Sequence, residues 1–217
     1  MPRVSQTEHT ITQVERLKRP RGYSAVYIDG ELALEAPAGI VAGLGLWTGR
    51  AMRGEELRRA LRTAQEEDAL ALALKALAAC DRTETELRRQ LARRGFPQPI
   101  VATVLGRLRE KGLIDDHRYA REYVRAQGAR RGLGPEALRA RLVQLGVAPS
   151  LVDEALVEEM SEESQKALAE ATARRRLRQL RRLTEEQARS RVYAFLLRRG
   201  FDCDIAVAVV EGLKQSE

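Results

Sequence analysis

Leu87-Arg88-Arg89-Gln90-Leu91-Ala92-Arg93-Arg94-Gly95-Phe96, Leu138-Arg139-Ala140-Arg141-Leu142-Val143-Gln144-Leu145-Gly146-Val147 and Val192-Tyr193-Ala194-Phe195-Leu196-Leu197-Arg198-Arg199-Gly200-Phe201 are one phrase written three times. Counted from each glycine, apolar residues stand at −8 and −4. More follow at +5, +9 and +10: Ile100, Val104 and Leu105; Leu151, Ala155 and Leu156; Ile205, Val209 and Val210. The glycines lie 51 and then 54 residues apart. A spacing of 3 to 4 between apolar residues, closed by glycine, is an amphipathic helix that stops in a left-handed turn. A repeat of this length is one supersecondary unit stacked on its neighbours.

The rest of the helical pattern falls into trios around these phrases. Ala69–Ala79, Glu84–Arg94 and Pro99–Lys111 form the first, Asp116–Arg130, Pro135–Leu145 and Pro149–Met160 the second, and Glu162–Arg182, Glu185–Arg199 and Asp204–Lys214 the third. Thr83-Glu84-Thr85-Glu86 and Thr184-Glu185-Glu186-Gln187 have capping-box form, and Gly134-Pro135 puts proline at a first helical position. Thr83 and Gly134 lie 12 residues before their glycines and Thr184 lies 16 before, so the middle helix of the third trio is expected to be one turn longer.

The first 64 residues read differently. Asp29-Gly30 accepts the positive φ angles of a type I′ hairpin turn. It would pair Tyr27 with Leu32 and Ala25 with Leu34, placing Tyr23, Ala25, Tyr27, Leu32 and Leu34 on one face. Ile11–Leu17 is a candidate third strand, because a two-stranded ribbon alone is marginal in water. Pro37–Leu46 and Gly54–Leu61 read as short helices. The fold class is therefore mainly α: a tandem array of three three-helix repeats, elongated and curved, behind a small N-terminal β-hairpin/α extension. The expected segments are 1–64, 65–115, 116–160 and 161–217.

Charge narrows function more than any motif does. The chain of 217 residues has a formal net charge of +7, with 32% charged and 4% aromatic residues, and 33 of its 38 basic residues are arginine. The net charge is +3 over 1–64, +1 over 65–115, −2 over 116–164 and +5 over 165–217, so the ends are basic and the middle is not. Guanidinium groups grip phosphates and carboxylates in bidentate fashion, which points to a polyanion or an acidic partner. Candidate contacts are Arg88, Arg89, Arg93 and Arg94 in the first copy, and Arg121, Arg125, Arg130, Arg131 and Arg139 in the second. In the third, Arg174, Arg175, Arg176, Arg178, Arg181 and Arg182 surround Leu177 and Leu180, with Arg174, Arg178, Arg181 and Arg182 on one helical face. Arg198 and Arg199 repeat the Arg93-Arg94 position, where the middle copy has Gln144 and Leu145.

Catalytic constellations are harder to find. No phosphate-cradling GxGxxG or GxxxxGK[ST] is present, and Gly43-Leu44-Gly45 reads as a hairpin-end loop. Asp115-Asp116 reads as a helix N-cap followed by a first-turn acid rather than a metal pair. Cys80 and Cys203, with His9 and His117, have no metal-ligand spacing, so two reduced cysteines and no metal or cofactor are expected. Tyr119, Tyr123 and Tyr193 stand at helical spacing beside apolar residues and read as core rather than as base-stacking platforms. A secretory leader or an apolar run of membrane-spanning length is not evident, so a cytoplasmic protein with no membrane partner is expected.

The residues that carry a resemblance are Gly112-Leu113-Ile114-Asp115-Asp116-His117-Arg118-Tyr119-Ala120-Arg121-Glu122-Tyr123-Val124, followed by Gly132-Leu133-Gly134-Pro135 and Leu142…Gly146-Val147, and preceded by Thr83…Glu86-Leu87…Leu91…Gly95-Phe96. This pattern resembles the RecX family, regulatory proteins that modulate the RecA recombinase. Coverage runs from Ala69 to Leu156, the third copy matches by repeat register, and residues 1–64 resemble members with a longer N-terminal extension. Where relatives tend to carry basic residues just after the Gly-Pro, this chain has Glu136-Ala137.

The resemblance implies tandem three-helix repeats lodged in the groove of the RecA–DNA filament. It implies a non-enzymatic inhibitor of filament growth, ATP hydrolysis, strand exchange and co-protease activity, with weak, non-specific contact to single- and double-stranded DNA, acting as a monomer. A stand-alone non-specific DNA-binding protein is the alternative that the arginines leave open. Leu91, Gly95, Leu142, Gly146, Leu196 and Gly200 are the structural positions of the repeat.

Overall fold

The computed structural model describes residues 8–213, as four strands and ten helices. The described residues divide into two compact units. The first takes those up to Cys80 together with Leu87–Leu113, and the second takes Asp81–Glu86 and those from Ile114 onward.

In the first unit, β1 (Glu8–Arg16), β2 (Tyr23–Ile28), β3 (Glu31–Pro37) and β4 (Ala51–Arg53) form an antiparallel sheet in the order β3-β2-β1-β4. Asp29 (φ 51°) and Gly30 (φ 91°) make the expected turn, and Tyr27 pairs with Leu32. The register then shifts, Ala33 is left over, and Leu34 pairs with Val26 instead of Ala25. Because one residue of slip exchanges the faces of a strand, Leu34 and Ala36 join Val26 in the core, Ala25 is buried on the other face of β2, and Leu32 is exposed. These residues pack with Ile11, Val41, Leu46 and Met52, and with Leu57 and Ala64 of a long helix.

That helix is α2 (Gly54–Ala79), which follows α1 (Ala38–Gly43). It is a single 26-residue element where the sequence suggested two. The polar stretch between the two apolar patterns holds no glycine or proline, and Arg62 pairs with Glu66 one turn on at 2.9 Å, so the helix continues. Tyr23 Oη donates to the buried Asp68 of α2 at 2.8 Å, tying sheet to helix. Burial and the Asp68 carboxylate push the Tyr23 phenol up to about 12, and burial raises Asp68 as well. Gly43 and Gly45 close α1 rather than a hairpin, with Leu44 as its C-cap.

The helical trios appear in register: α3 (Glu84–Arg93) and α4 (Gln98–Glu110); α5 (Asp116–Arg131), α6 (Pro135–Leu145) and α7 (Pro149–Glu159); α8 (Glu162–Leu177), α9 (Glu185–Arg198) and α10 (Cys203–Gly212). The middle helices have 10, 11 and 14 residues, so α9 is the longer one. Lys214, the expected last residue of the final helix, lies outside the described residues.

Each middle helix ends in the same two bonds. Gly95, Gly146 and Gly200 have φ of 87°, 91° and 82°. The amides of Phe96, Val147 and Phe201 donate to the carbonyls of Leu91, Leu142 and Leu196, and the glycine amides to Ala92, Val143 and Leu197. This is the Schellman pattern, which satisfies carbonyls that the helix leaves open. The leucines that accept the longer bond are buried to within 1%, so one residue anchors both the stop and the core.

The stop is also a joint. Thr83 and Thr85, at the head of α3, donate their hydroxyls to the carbonyls of Leu145 and Gly146 at 2.7 and 2.9 Å. At the head of α6, the Gly134 and Glu136 amides donate to Arg199 and Gly200 at 2.8 and 3.1 Å. Positions −12 and −10 of one copy thus meet positions −1 and 0 of the next, by hydroxyl in one joint and by backbone in the other.

Candidate anion-binding interface

The arginines singled out in the sequence have three fates. Some are held by carboxylates. Arg121 reaches Glu158 and Glu159 at 3.0 and 2.9 Å, Arg125 reaches Glu159 at 2.7 Å, and Arg139 pairs with Asp153 and Glu136. The two guanidiniums hold the Glu159 carboxyl below the usual carboxylate range, and the Arg121 guanidinium is raised in return. Arg174 pairs with Glu170 at 3.4 Å, one turn back on α8.

Others lie near backbone or single polar groups. Arg93 Nε donates to the Arg89 carbonyl at 3.2 Å, and the charge of Arg94 acts on Asp68 and Tyr23. Arg88 sits half-exposed and Arg89 exposed on α3, and Arg198 is exposed at the end of α9. Arg178 is the C-cap of α8, and Arg181 and Arg182 lie beyond it in turns.

The expected single face of Arg174, Arg178, Arg181 and Arg182 therefore does not exist, because the helix stops at Leu177. Leu180 is the cause. It is 8% exposed in the core of the third trio, and the Gln179, Leu180 and Leu183 amides donate to carbonyls three residues back, which tightens the chain into successive turns.

The third group converges. Arg130 and Arg131 end α5, Arg175 and Arg176 lie in the last turn of α8, and Arg199 follows α9. Together with Phe195 they line an open cavity of about 490 Å³ that Gln179 also borders. The guanidinium carbons of Arg176 and Arg199 stand 5.4 and 4.9 Å from the centroid of the Phe195 ring, within cation–π range. Arg199 Nη1 donates to the Arg131 carbonyl at 2.6 Å, and Arg176 Nη1 to Gln179 Oε1 at 2.8 Å. Arg176 Nε is buried without a hydrogen-bond partner. No carboxylate lines the cavity among the described residues.

The sequence singled out Arg130, Arg131, Arg175 and Arg199 but did not bring them together. It placed Arg176 among the basic residues around Leu177 and Leu180 but off their shared face, and read Phe195 only as part of the repeat. One signal was available: Phe195 and Arg199 are four residues apart, so they share a helix face.

The acids are structural. Asp115 is the N-cap of α5 and accepts from the Arg118 amide at 2.9 Å. Asp116 accepts from the Glu84 amide at 2.9 Å, and burial raises its carboxyl. Tyr119 and Tyr123 stack at 6.2 Å against the core of the second trio, and Tyr193 packs against that of the third. Cys80 and Cys203 are free thiols, both exposed. No helix among the described residues is long and apolar enough to cross a membrane.

Comparison with known proteins follows the repeats. Residues 69–108, 115–156 and 163–210 match, in order, the family models for the first, second and third three-helix domains of RecX. The chain is 38% identical over 148 residues to the regulatory protein RecX of Mycobacterium marinum (strain ATCC BAA-535 / M), covering 67% of this chain and 84% of that one. With the regulatory protein RecX of Levilactobacillus brevis it shares 34% over 209 residues, covering 94% of this chain and 76% of the relative.

A crystal structure of regulatory protein RecX superposes with a TM-score of 0.68 at 28% identity, over 94% of this chain and 99% of the other. The crystal structure of RecX from Lactobacillus salivarius shares the fold, with a TM-score of 0.65 at 21% identity over 69% and 97%. With all three of its domains matched in sequence order, the chain belongs to the RecX family of regulatory proteins.

Proposed function

We propose that the protein regulates the RecA recombinase by lodging in the groove of the RecA–single-stranded DNA filament, where it limits filament growth, ATP hydrolysis, strand exchange and co-protease activity. The observation that carries this is the complete set of three family domains in order, since a groove-binding regulator needs contacts from several repeats at once. Linked weak contacts reinforce one another through effective concentration. The segments 65–115, 116–160 and 161–217 supply the repeats, and 1–64 is an added module. The protein acts by occupying the filament, as a monomer in the cytoplasm, and not by catalysis. Its exposed arginines reach acidic side chains of the filament or DNA phosphates.

The experiment mixes pure protein with RecA, ATP and single-stranded DNA. ATP hydrolysis and strand exchange should fall as the protein approaches stoichiometric amounts, and unchanged rates in excess would sink the proposal. The arginines around Phe195, whose cavity no carboxylate lines, favour a second reading, a stand-alone DNA binder. It requires tight binding to naked DNA with a steep negative salt slope. Weak binding to naked DNA beside tight binding to the filament rejects it.

A further inference from the structure

The cavity between the ends of α5, α8 and α9 gathers five arginines around one concavity. These arginines line about 490 Å³ with no carboxylate among the lining residues. Three helix C-termini point their partial negative charge at the same space, each equivalent to about half an elementary charge. These ends account for some of the arginine charge, and the Arg131 carbonyl visibly holds Arg199. They leave an excess of roughly three to four positive charges. Like charges gathered this closely repel, and a buried donor without a partner is unfavourable; Arg176 Nε is such a donor.

Charge count selects among anions. A lone carboxylate or a single phosphodiester carries one negative charge and would leave most of the excess unmatched. A triphosphate carries one charge on each phosphoryl group and, with a second pKa of about 6 on the last, roughly four in all. Its oxygens accept bidentate guanidinium bonds from several directions at once. The Phe195 ring fixes Arg176 and Arg199 by stacking, so less side-chain freedom is lost when they bind.

We propose that this cavity is a binding site for a compact chain of three phosphoryl groups, presented by a nucleoside triphosphate or by inorganic triphosphate. The site is independent of the filament-groove reading above, and no bond is made or broken in it.

Isothermal titration calorimetry on the full chain, in magnesium-free buffer at physiological salt, tests it with four probes: sodium tripolyphosphate, ATP, orthophosphate and an oligothymidylate. Tripolyphosphate and ATP should bind at one per chain, at least tenfold more tightly than orthophosphate. Binding should fall at least tenfold in R130Q/R175Q, whose side chains are exposed and outside the core. It should stay within twofold in R58Q/R59Q, which removes the same charge from α2. ATP binding tenfold tighter than tripolyphosphate identifies the nucleotide as the source, and equal affinities identify the bare phosphate chain. The proposal is overturned if tripolyphosphate does not bind, if both double variants weaken it alike, or if only the oligonucleotide binds.

Discussion

At Gly95, Gly146 and Gly200 an identical left-handed turn carries different loads. A Cβ on Gly95 would meet open space, whereas one on Gly146 would collide with the Thr85 side chain and one on Gly200 with the Ala137 backbone. Alanine at Gly95 should therefore cost only the left-handed strain of an L-residue, about 1 kcal/mol. Alanine at Gly146 or Gly200 should cost roughly 1–3 kcal/mol more, from overpacking at the joint. Urea midpoints of the three variants check the order, and equal losses would remove the joint from the account. Leu91→Ala and Leu142→Ala empty fully buried sites and should cost about 2–5 kcal/mol each; a thermal midpoint within a degree of wild type contradicts their place in the core. The glycine stops and apolar spacings were legible in the sequence because they are local consequences of helix geometry. The second role of Gly146 was not, since Thr85 reaches it from a different copy of the repeat, and nothing near either residue in sequence marks the meeting.

Elements were legible where capping and breakers agree with the apolar period, as at Thr83, Gly134-Pro135 and Thr184. They were misjudged where tertiary burial overrides a continuous pattern. Arg174–Arg182 contains neither glycine nor proline, so helical spacing runs on to Arg182, yet burying Leu180 ends α8 at Leu177. In the hairpin, the leftover Ala33 brings Leu34 of β3 beside Val26 instead of Ala25, and no alternation rule foresees a bulge. The pairing of α5 with α7 gives a testable pH dependence. Arg121 and Arg125 lower the folded-state pKa of Glu159 below its ordinary 4.5. The folded state thus binds fewer protons, and the pair's contribution is complete above about pH 4.5 and fades as pH falls through the lowered value. The wild type should lose stability more steeply than E159Q over that acid limb, the two curves drawing together at its lower end. Parallel urea-midpoint profiles would show that the pair is too solvated to matter.

Across the molecule, the basic character lies at the two ends of the repeat series, and its useful part is what internal carboxylates leave unused. Arg121, Arg125 and Arg139 are largely matched within the second copy, whose segment 116–160 has as many acidic as basic residues. Arg178, Arg181 and Arg182 have no carboxylate partner among the described residues, and Arg174 has only an exposed one on its own helix. Since a groove-bound regulator multiplies weak contacts, removing one cluster should lower the apparent affinity for the filament without abolishing it. Reversing Arg174, Arg178 and Arg182 to glutamate should therefore raise the concentration needed for half-inhibition of RecA ATP hydrolysis by at least tenfold, with helical circular dichroism unchanged. The shift should shrink as salt rises, because these contacts are exposed and screened. Should inhibition and circular dichroism both stay at wild-type values, the cluster is a solvated surface, and the grip on the filament has to come from the first copy, where Arg89, Arg93 and Arg94 lie exposed on and just beyond α3.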